Sequence, residues 1–174
     1  MSERERKRRE FEETALIHLD SLFNTALYFT RNEEEARELV QETFLRAYEF
    51  FHQFRRGSNC KAWLITILHN LFINRVKGSR KLELDEGRFI DRVRDENLSP
   101  EEELIQKARG EEIRRALYEL PLGFREVVVL ADMEGLSYKE ISRILSCPIG
   151  TVMSRLHRGR RLLKEALKEW IVKD

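Results

Sequence analysis

LSYKEISRILSCPIGTVMSRLHRGRRLLKEAL, residues 136 to 167, decides how the rest of the chain is understood. Ser137 and Glu140 have capping-box spacing, in which the hydroxyl accepts the amide proton three residues on while the carboxylate reaches back to the cap amide. A helix therefore starts here. Ile141, Ile144 and Leu145 give it a buried stripe, and Ser146-Cys147-Pro148 breaks it. Pro148 is suited to the first position of a second helix, where its missing amide proton costs nothing. In that helix Val152 and Leu156 point inward, four residues apart. Thr151, Ser154, Arg155 and Arg158 point outward, a face of hydroxyls and guanidiniums suited to base edges and phosphates in a major groove. A solvated basic hairpin would share the charge. The short break, the cap and the small residues in the second helix's first turn favour a helix-turn-helix.

The 174 residues suffice for one sizeable domain or two small ones, and two are expected. With 32 basic and 31 acidic residues the net charge is +1, so the whole molecule is no polycation and DNA affinity has to come from local segregation of charge. Cys60 and Cys147 lie outside any CxxC or Cys/His spacing, which suggests neither a disulfide framework nor a zinc site and fits a reducing cytoplasm. No apolar run approaches the roughly 20 residues that span a bilayer.

Upstream, apolar residues at helical spacing (Phe11, Ala15, Leu19, Leu22, Phe23, Ala26) predict one helix from about Glu10 to Phe29. Asn32 and Glu35 repeat the cap spacing and open a helix reaching about Phe54. Its buried stripe is Ala36, Leu39, Val40, Phe44, Ala47, Tyr48 and Phe51. Glu38, Gln41, Glu42, Arg46 and Glu49 form its polar face, which by itself reads as solvated. After a basic, turn-rich loop (residues 55–61), a helix from about Ala62 to Lys77 turns Leu64, Ile67, Leu68 and Leu71 to the core. Another face lines up Trp63, Thr66, Asn70, Asn74 and Lys77. An aromatic, amides and a cation suit single-stranded nucleic acid, where stacking contributes roughly 1–3 kcal/mol per base. An ordinary core Trp with exposed Asn residues explains the same pattern.

From Gly78 to Ser99 the helical period is lost and acidic residues outnumber basic ones. This predicts a flexible acidic linker over 79–99, whose roughly 21 residues reach at most about 70 Å, two turns of duplex. A plain solvated spacer explains the composition equally well. Ser99-Pro100-Glu101-Glu102 then opens a helix carrying Leu104, Ile105, Ala108, Ile113, Ala116, Leu117 and Leu120, which Pro121 stops. A short helix over Leu122 to Met133 ends at Gly135. The expected fold is all-α: helical domains at 8–78 and 100–174 around the linker. No enzyme is expected, since the four His lack triad or ligand spacing and there is no HExxH, GxSxG, GxGxxG or P-loop. Neither catalytic nor metal-binding residues are assigned, and no cofactor is expected.

Two stretches together resemble one family. ELVQETFLRAYEFFHQFRRGSNCKAWLITILHNLFIN resembles region 2 of the extracytoplasmic-function (ECF) sigma factors of the sigma-70 family, and LPLGFREVVVLADMEGLSYKEISRILSCPIGTVMSRLHRGRRLL resembles their region 4. The strings GSNCKAWL and GTVMSRLHRGRR look most like the SigR-like subgroup. The resemblance implies stress-responsive, promoter-specific initiation by RNA polymerase. Glu38, Gln41, Glu42 and Leu45 would dock the clamp helices of the largest polymerase subunit, with the flap region a further contact. Asn59, Lys61, Trp63, Asn70 and Asn74 would hold the melted minus-10 element. Thr151, Ser154, Arg155 and Arg158 would read the minus-35 element, with Arg160, Arg161 and Lys164 near phosphates. It also implies control by a small zinc-containing anti-sigma factor, with no membrane insertion. Glu38 stands where the family more often has Asp. Cys60 and Cys147 replace residues expected to be apolar or small and polar, and each fits a buried structural Cys. Rival readings are a stand-alone helix-turn-helix regulator and a protein-binding helical adaptor.

Overall fold

The structure is a computed structural model and describes residues 1–79 and 110–171. Its described residues are helical, with no strand among them, and belong to two compact units. The expected linker over 79–99, from Arg80 onward, lies outside the described residues, as does the helix start at Ser99-Pro100 with Leu104, Ile105 and Ala108.

In the first unit, α1 (Glu3–Thr14), a 3-10 turn (Leu16–His18) and α2 (Leu19–Thr30) replace the single helix expected from about Glu10 to Phe29. The tighter turn shifts the phase of the apolar stripe. Ala15 and Leu22 are fully buried, whereas Leu19, expected inside, is 46% exposed and Ile17 70%. Ser2 caps α1 through a reciprocal box with Glu5. Its only buried residue is Phe11, whose ring meets Phe44, Tyr48 and Phe51 edge-on at 6.4, 5.2 and 5.2 Å. Arg31 ends α2 in the left-handed conformation (φ 55°), a place more often taken by Gly.

The Asn32 side chain accepts the Glu35 amide at 3.0 Å and starts α3 (Glu33–Glu49). Glu33, Glu34 and Glu35 fill its first turn, where the helix dipole favours acids. The helix ends earlier than expected, at Glu49, and a 3-10 turn over Phe51–Gln53 follows. Ala36, Leu39, Val40, Ala47 and Phe51 are buried, Phe44 and Tyr48 half-buried. Asn59 starts α4 (Cys60–Ser79), its side chain accepting the Ala62 amide at 3.1 Å. Buried on α4 are Leu64, Ile65, Leu68, Leu71 and Phe72, with His69 edge-on to Phe29. Ile67, expected in the core, is half-buried on another face, and Ile65 takes its place. α2, α3 and α4 pack pairwise around this core. Burial pushes the Cys60 thiol up to about 11, so at neutral pH it is overwhelmingly the unreactive thiol.

The second unit contains α5 (Gly110–Glu119), α6 (Leu122–Val128), most of α7 (Tyr138–Leu145) and α8 (Ile149–Ile171). The helix expected from Leu122 to Met133 is α-helical only to Val128 and continues as a π-helical turn over Val129–Met133. The Glu134 amide donates to the Val129 carbonyl, five residues back, and Gly135 (φ 66°) closes the segment. Both bonds of the expected box are present at α7, Ser137 N–H to Glu140 at 2.9 Å and Glu140 N–H to the Ser137 hydroxyl at 3.1 Å. Ser146, with φ 53°, makes the turn. α8 begins one residue later than expected: Pro148 stands before it, and its carbonyl accepts from Thr151 and Val152. Ile141, Ile144, Val152 and Leu156 are buried as the apolar pattern requires. α8 lies against α5 and α6, and Gly159 faces Val128 and Phe124 of α6.

Candidate nucleic-acid and polymerase interfaces

α4 and the end of α3 enclose a groove of about 320 Å³, lined by Arg46, Phe50, Gln53, Trp63, Ile67, Asn70, Leu71 and Asn74. Three residues singled out from the sequence, Trp63, Asn70 and Asn74, are thus brought together. Trp63 is half-buried, its ring 5.1 Å from Phe54 and 6.4 Å from Phe51, so packing holds it rather than leaving it to swing. Asn70 and Asn74 are exposed, one helical turn apart. Of the rest, Thr66 gives its hydroxyl proton to the Ala62 carbonyl, and Lys77 is exposed but outside the groove. Lys61 is half-buried, and Asn59 serves as the helix cap. Arg46, Phe50, Gln53 and Ile67 were missed. The paired Phe50-Phe51 at the end of a helix was the available signal, because one stripe can take only one of them inward. Phe51 is buried and Phe50 38% exposed.

On the outer face of α3, Glu38 and Gln41 are exposed, Glu42 is half-buried, and Leu45 is 67% exposed, an apolar side chain among carboxylates. Arg75 of α4 donates to Glu42 at 2.7 Å and lies 4.0 Å from Glu38, so this face is less acidic than its sequence suggests. The pairing joins residues 33 positions apart, beyond the reach of helical periodicity.

On α8, Ser154 and Arg158 are exposed, Thr151 and Arg155 half-buried. The Ser154 hydroxyl donates to the Thr151 carbonyl at 3.1 Å, leaving its oxygen to accept. Ile149 and Met153, 44% and 52% exposed on the first turns, were not anticipated as surface residues. Two of the residues expected near phosphates, Arg160 and Lys164, are held against the rest of the second unit. Arg160 forms a two-pronged pair with Asp132 of the π-turn, at 3.0 and 2.6 Å, tying α8 to that turn. Lys164 is only 4% exposed, because the buried side of α8 in its later turns takes in Leu162, Leu163 and Leu167 around it. Arg161 remains half-exposed. Cys147, half-buried in the turn, donates its amide proton to the Ser142 carbonyl. Among the described residues no group of three His, Cys, Asp or Glu could hold a metal, and no helix is long and apolar enough to cross a membrane.

A capped helix-turn-helix in one unit and an aromatic-amide groove in the other give the chain a two-part, helical make-up. Residues 16–82 match Sigma-70 region 2, and residues 110–163 match Sigma-70, region 4. The chain is 36% identical over 153 residues to the ECF RNA polymerase sigma factor EcfG of Rhodopseudomonas palustris, covering 87% of this chain and 82% of EcfG. It is 35% identical over 158 residues to the ECF RNA polymerase sigma factor SigE of Mycolicibacterium smegmatis, covering 90% of this chain but only 61% of SigE. Among solved structures, the sigma factor RpoE of Bartonella quintana in complex with the anti-sigma factor NepR aligns with TM-score 0.72 and 32% identity, over 92% of this chain and 98% of RpoE. CnrH in complex with the cytosolic domain of CnrY shares the fold at TM-score 0.63 and 23% identity, over 93% and 90% of the two chains. The protein belongs to the ECF sigma factors of the sigma-70 family.

Proposed function

We propose that this protein binds core RNA polymerase in the cytoplasm, brings it to a two-part promoter and holds the melted DNA, catalysing no reaction itself. The observation that carries the reading is the meeting of Trp63, Asn70 and Asn74 in one groove, in a chain that also carries the capped helix-turn-helix. Glu38, Gln41, Glu42 and Leu45 dock the clamp helices of the largest subunit, and Leu45 supplies the apolar contact at their centre. The flap region contacts the second unit. Flipping a base out costs a few kcal/mol, which stacking beside Trp63 and hydrogen bonds from the two amides offset. Thr151, Ser154, Arg155 and Arg158 read duplex minus-35 bases, with Arg161 on a phosphate.

An anti-sigma factor controls the protein in this reading, supported by the complex of the similar RpoE with NepR. For a SigR-like placement, with a zinc-containing, redox-responsive partner, the support is the GSNCKAWL and GTVMSRLHRGRR strings.

Asn74→Ala separates opening from docking. The side chain is exposed, so the fold tolerates its loss. One hydrogen bond, about 0.5–1.5 kcal/mol, corresponds to a roughly two- to twelvefold smaller open fraction. Permanganate reactivity of unpaired thymines should fall by that factor while closed-complex affinity in a gel shift stays unchanged. Equal loss in both assays contradicts the assignment.

A further inference from the structure

The first unit holds a second and larger groove, about 1080 Å³, between α1 and the connection from α3 to α4. We propose that it carries the sugar-phosphate backbone of the single DNA strand where that strand leaves the Trp63 groove. The inference rests on the proposed function and adds a site to it.

Four cations line the groove, Arg4, Arg6, Lys7 and Arg56, against two carboxylates, Glu3 and Glu10. Glu10 is taken up by Arg56 at 2.6 Å. Among the described residues Arg4 and Arg6 form no ion pair, whereas Arg8 and Arg9 on the same helix are paired with Glu12 and Glu13. Lys7 lies 4.6 Å above the Tyr48 ring, a cation held over an aromatic wall. The first two turns of α1 bury no side chain, and Ser2 with Glu5 fixes their start. A polar helix that presents unpaired cations to a concave surface matches a polyanion.

Position makes that polyanion the same DNA strand rather than an acidic protein. The α3–α4 connection walls both grooves: Phe50 and Gln53 line the Trp63 groove, while Phe51 and Phe54 line the basic one. The Phe54 and Trp63 rings are 5.1 Å apart, within a single nucleotide step of an extended strand. A strand with a base beside Trp63 passes Phe54 and brings its next phosphates to Arg4, Arg6 and Lys7.

The test uses holoenzyme assembled from core polymerase and the full chain. Its ligands are fork-junction promoter DNAs whose single strand is extended two nucleotides at a time beyond the minus-10 element, in both directions. Wild type should gain affinity with length on one side, and the triple variant Arg4→Ala/Arg6→Ala/Lys7→Ala should lose that gain. Neutralising three phosphates contributes about 0.7 each to the single-strand salt slope, so the slope of log K against log salt should flatten by about 2. Alanine favours helix at these positions, none of them buried, and circular dichroism should show α1 retained. Lysine at positions 4 and 6 should restore the slope. An unchanged slope and length dependence in the triple variant overturns the inference alone. So does an equal loss on the shortest and longest forks, which would put the cations in a protein contact. Failure of wild-type holoenzyme to bind any fork, with Asn74 then irrelevant, overturns the proposed function as well.

Discussion

Gly159→Val should lower the melting temperature of the second unit by roughly 4–8 °C for each kcal/mol lost, with a loss of about 1–3 kcal/mol or more. A glycine inside a helix costs about 1 kcal/mol relative to alanine, so its place in the middle of α8 needs a reason. The reason is the approach of α6. A Cβ at 159 would stand 2.8 Å from Val128 Cγ2, 3.2 Å from the Phe124 carbonyl oxygen and 3.4 Å from Phe124 Cβ. The Val128 methyl can shift; the Phe124 backbone cannot. Valine forces α8 away from α6, and with it the Arg160 to Asp132 clamp. Gly159→Ala should cost less, since gained helix propensity offsets part of the crowding. Thermal unfolding followed by circular dichroism checks the series, and a valine variant that melts with wild type would contradict the packing account.

Arg155→Ala should reduce minus-35-dependent promoter binding by holoenzyme about 5- to 150-fold, the range set by one two-pronged contact to guanine of about 1–3 kcal/mol. The loss should depend on sequence: the variant should discriminate less at one base pair and bind a promoter already altered there as wild type does. Arg161→Ala, removing a phosphate contact, should instead weaken all sequences alike and reduce the salt slope by about 1. Competition binding over single-base promoter variants separates these outcomes. A uniform loss for Arg155→Ala would remove it from base reading.

What was legible in the sequence was local. The Ser137–Glu140 box and the Asn32 cap are written in residues three apart, and the inward Ile141, Ile144, Val152 and Leu156 follow from helical period alone. Trp63, Asn70 and Asn74 share a face for the same reason. Contacts across elements were not legible. Nothing in the order of residues announces that Arg75 neutralises Glu42, or that Asp132 claims Arg160. The period also misleads where the backbone changes gauge. A 3-10 turn at Leu16–His18 exposes Leu19, and a π-helical turn ends the regular helix after Val128. Lys164, which the family resemblance places near phosphates, is only 4% exposed. Its burial follows from the long later turns of α8 lying against the rest of the second unit.

In the proposed function the chain confers promoter choice on a polymerase that lacks it. Core RNA polymerase transcribing fragmented genomic DNA, with and without the protein, tests this through the mapped 5′ ends of the transcripts. The account predicts new start sites that appear only with the protein and share two upstream sequence blocks, while the protein without polymerase gives no sequence-specific footprint on them. Start sites unchanged by the protein, or a footprint by the protein alone as strong as that of holoenzyme, would contradict it.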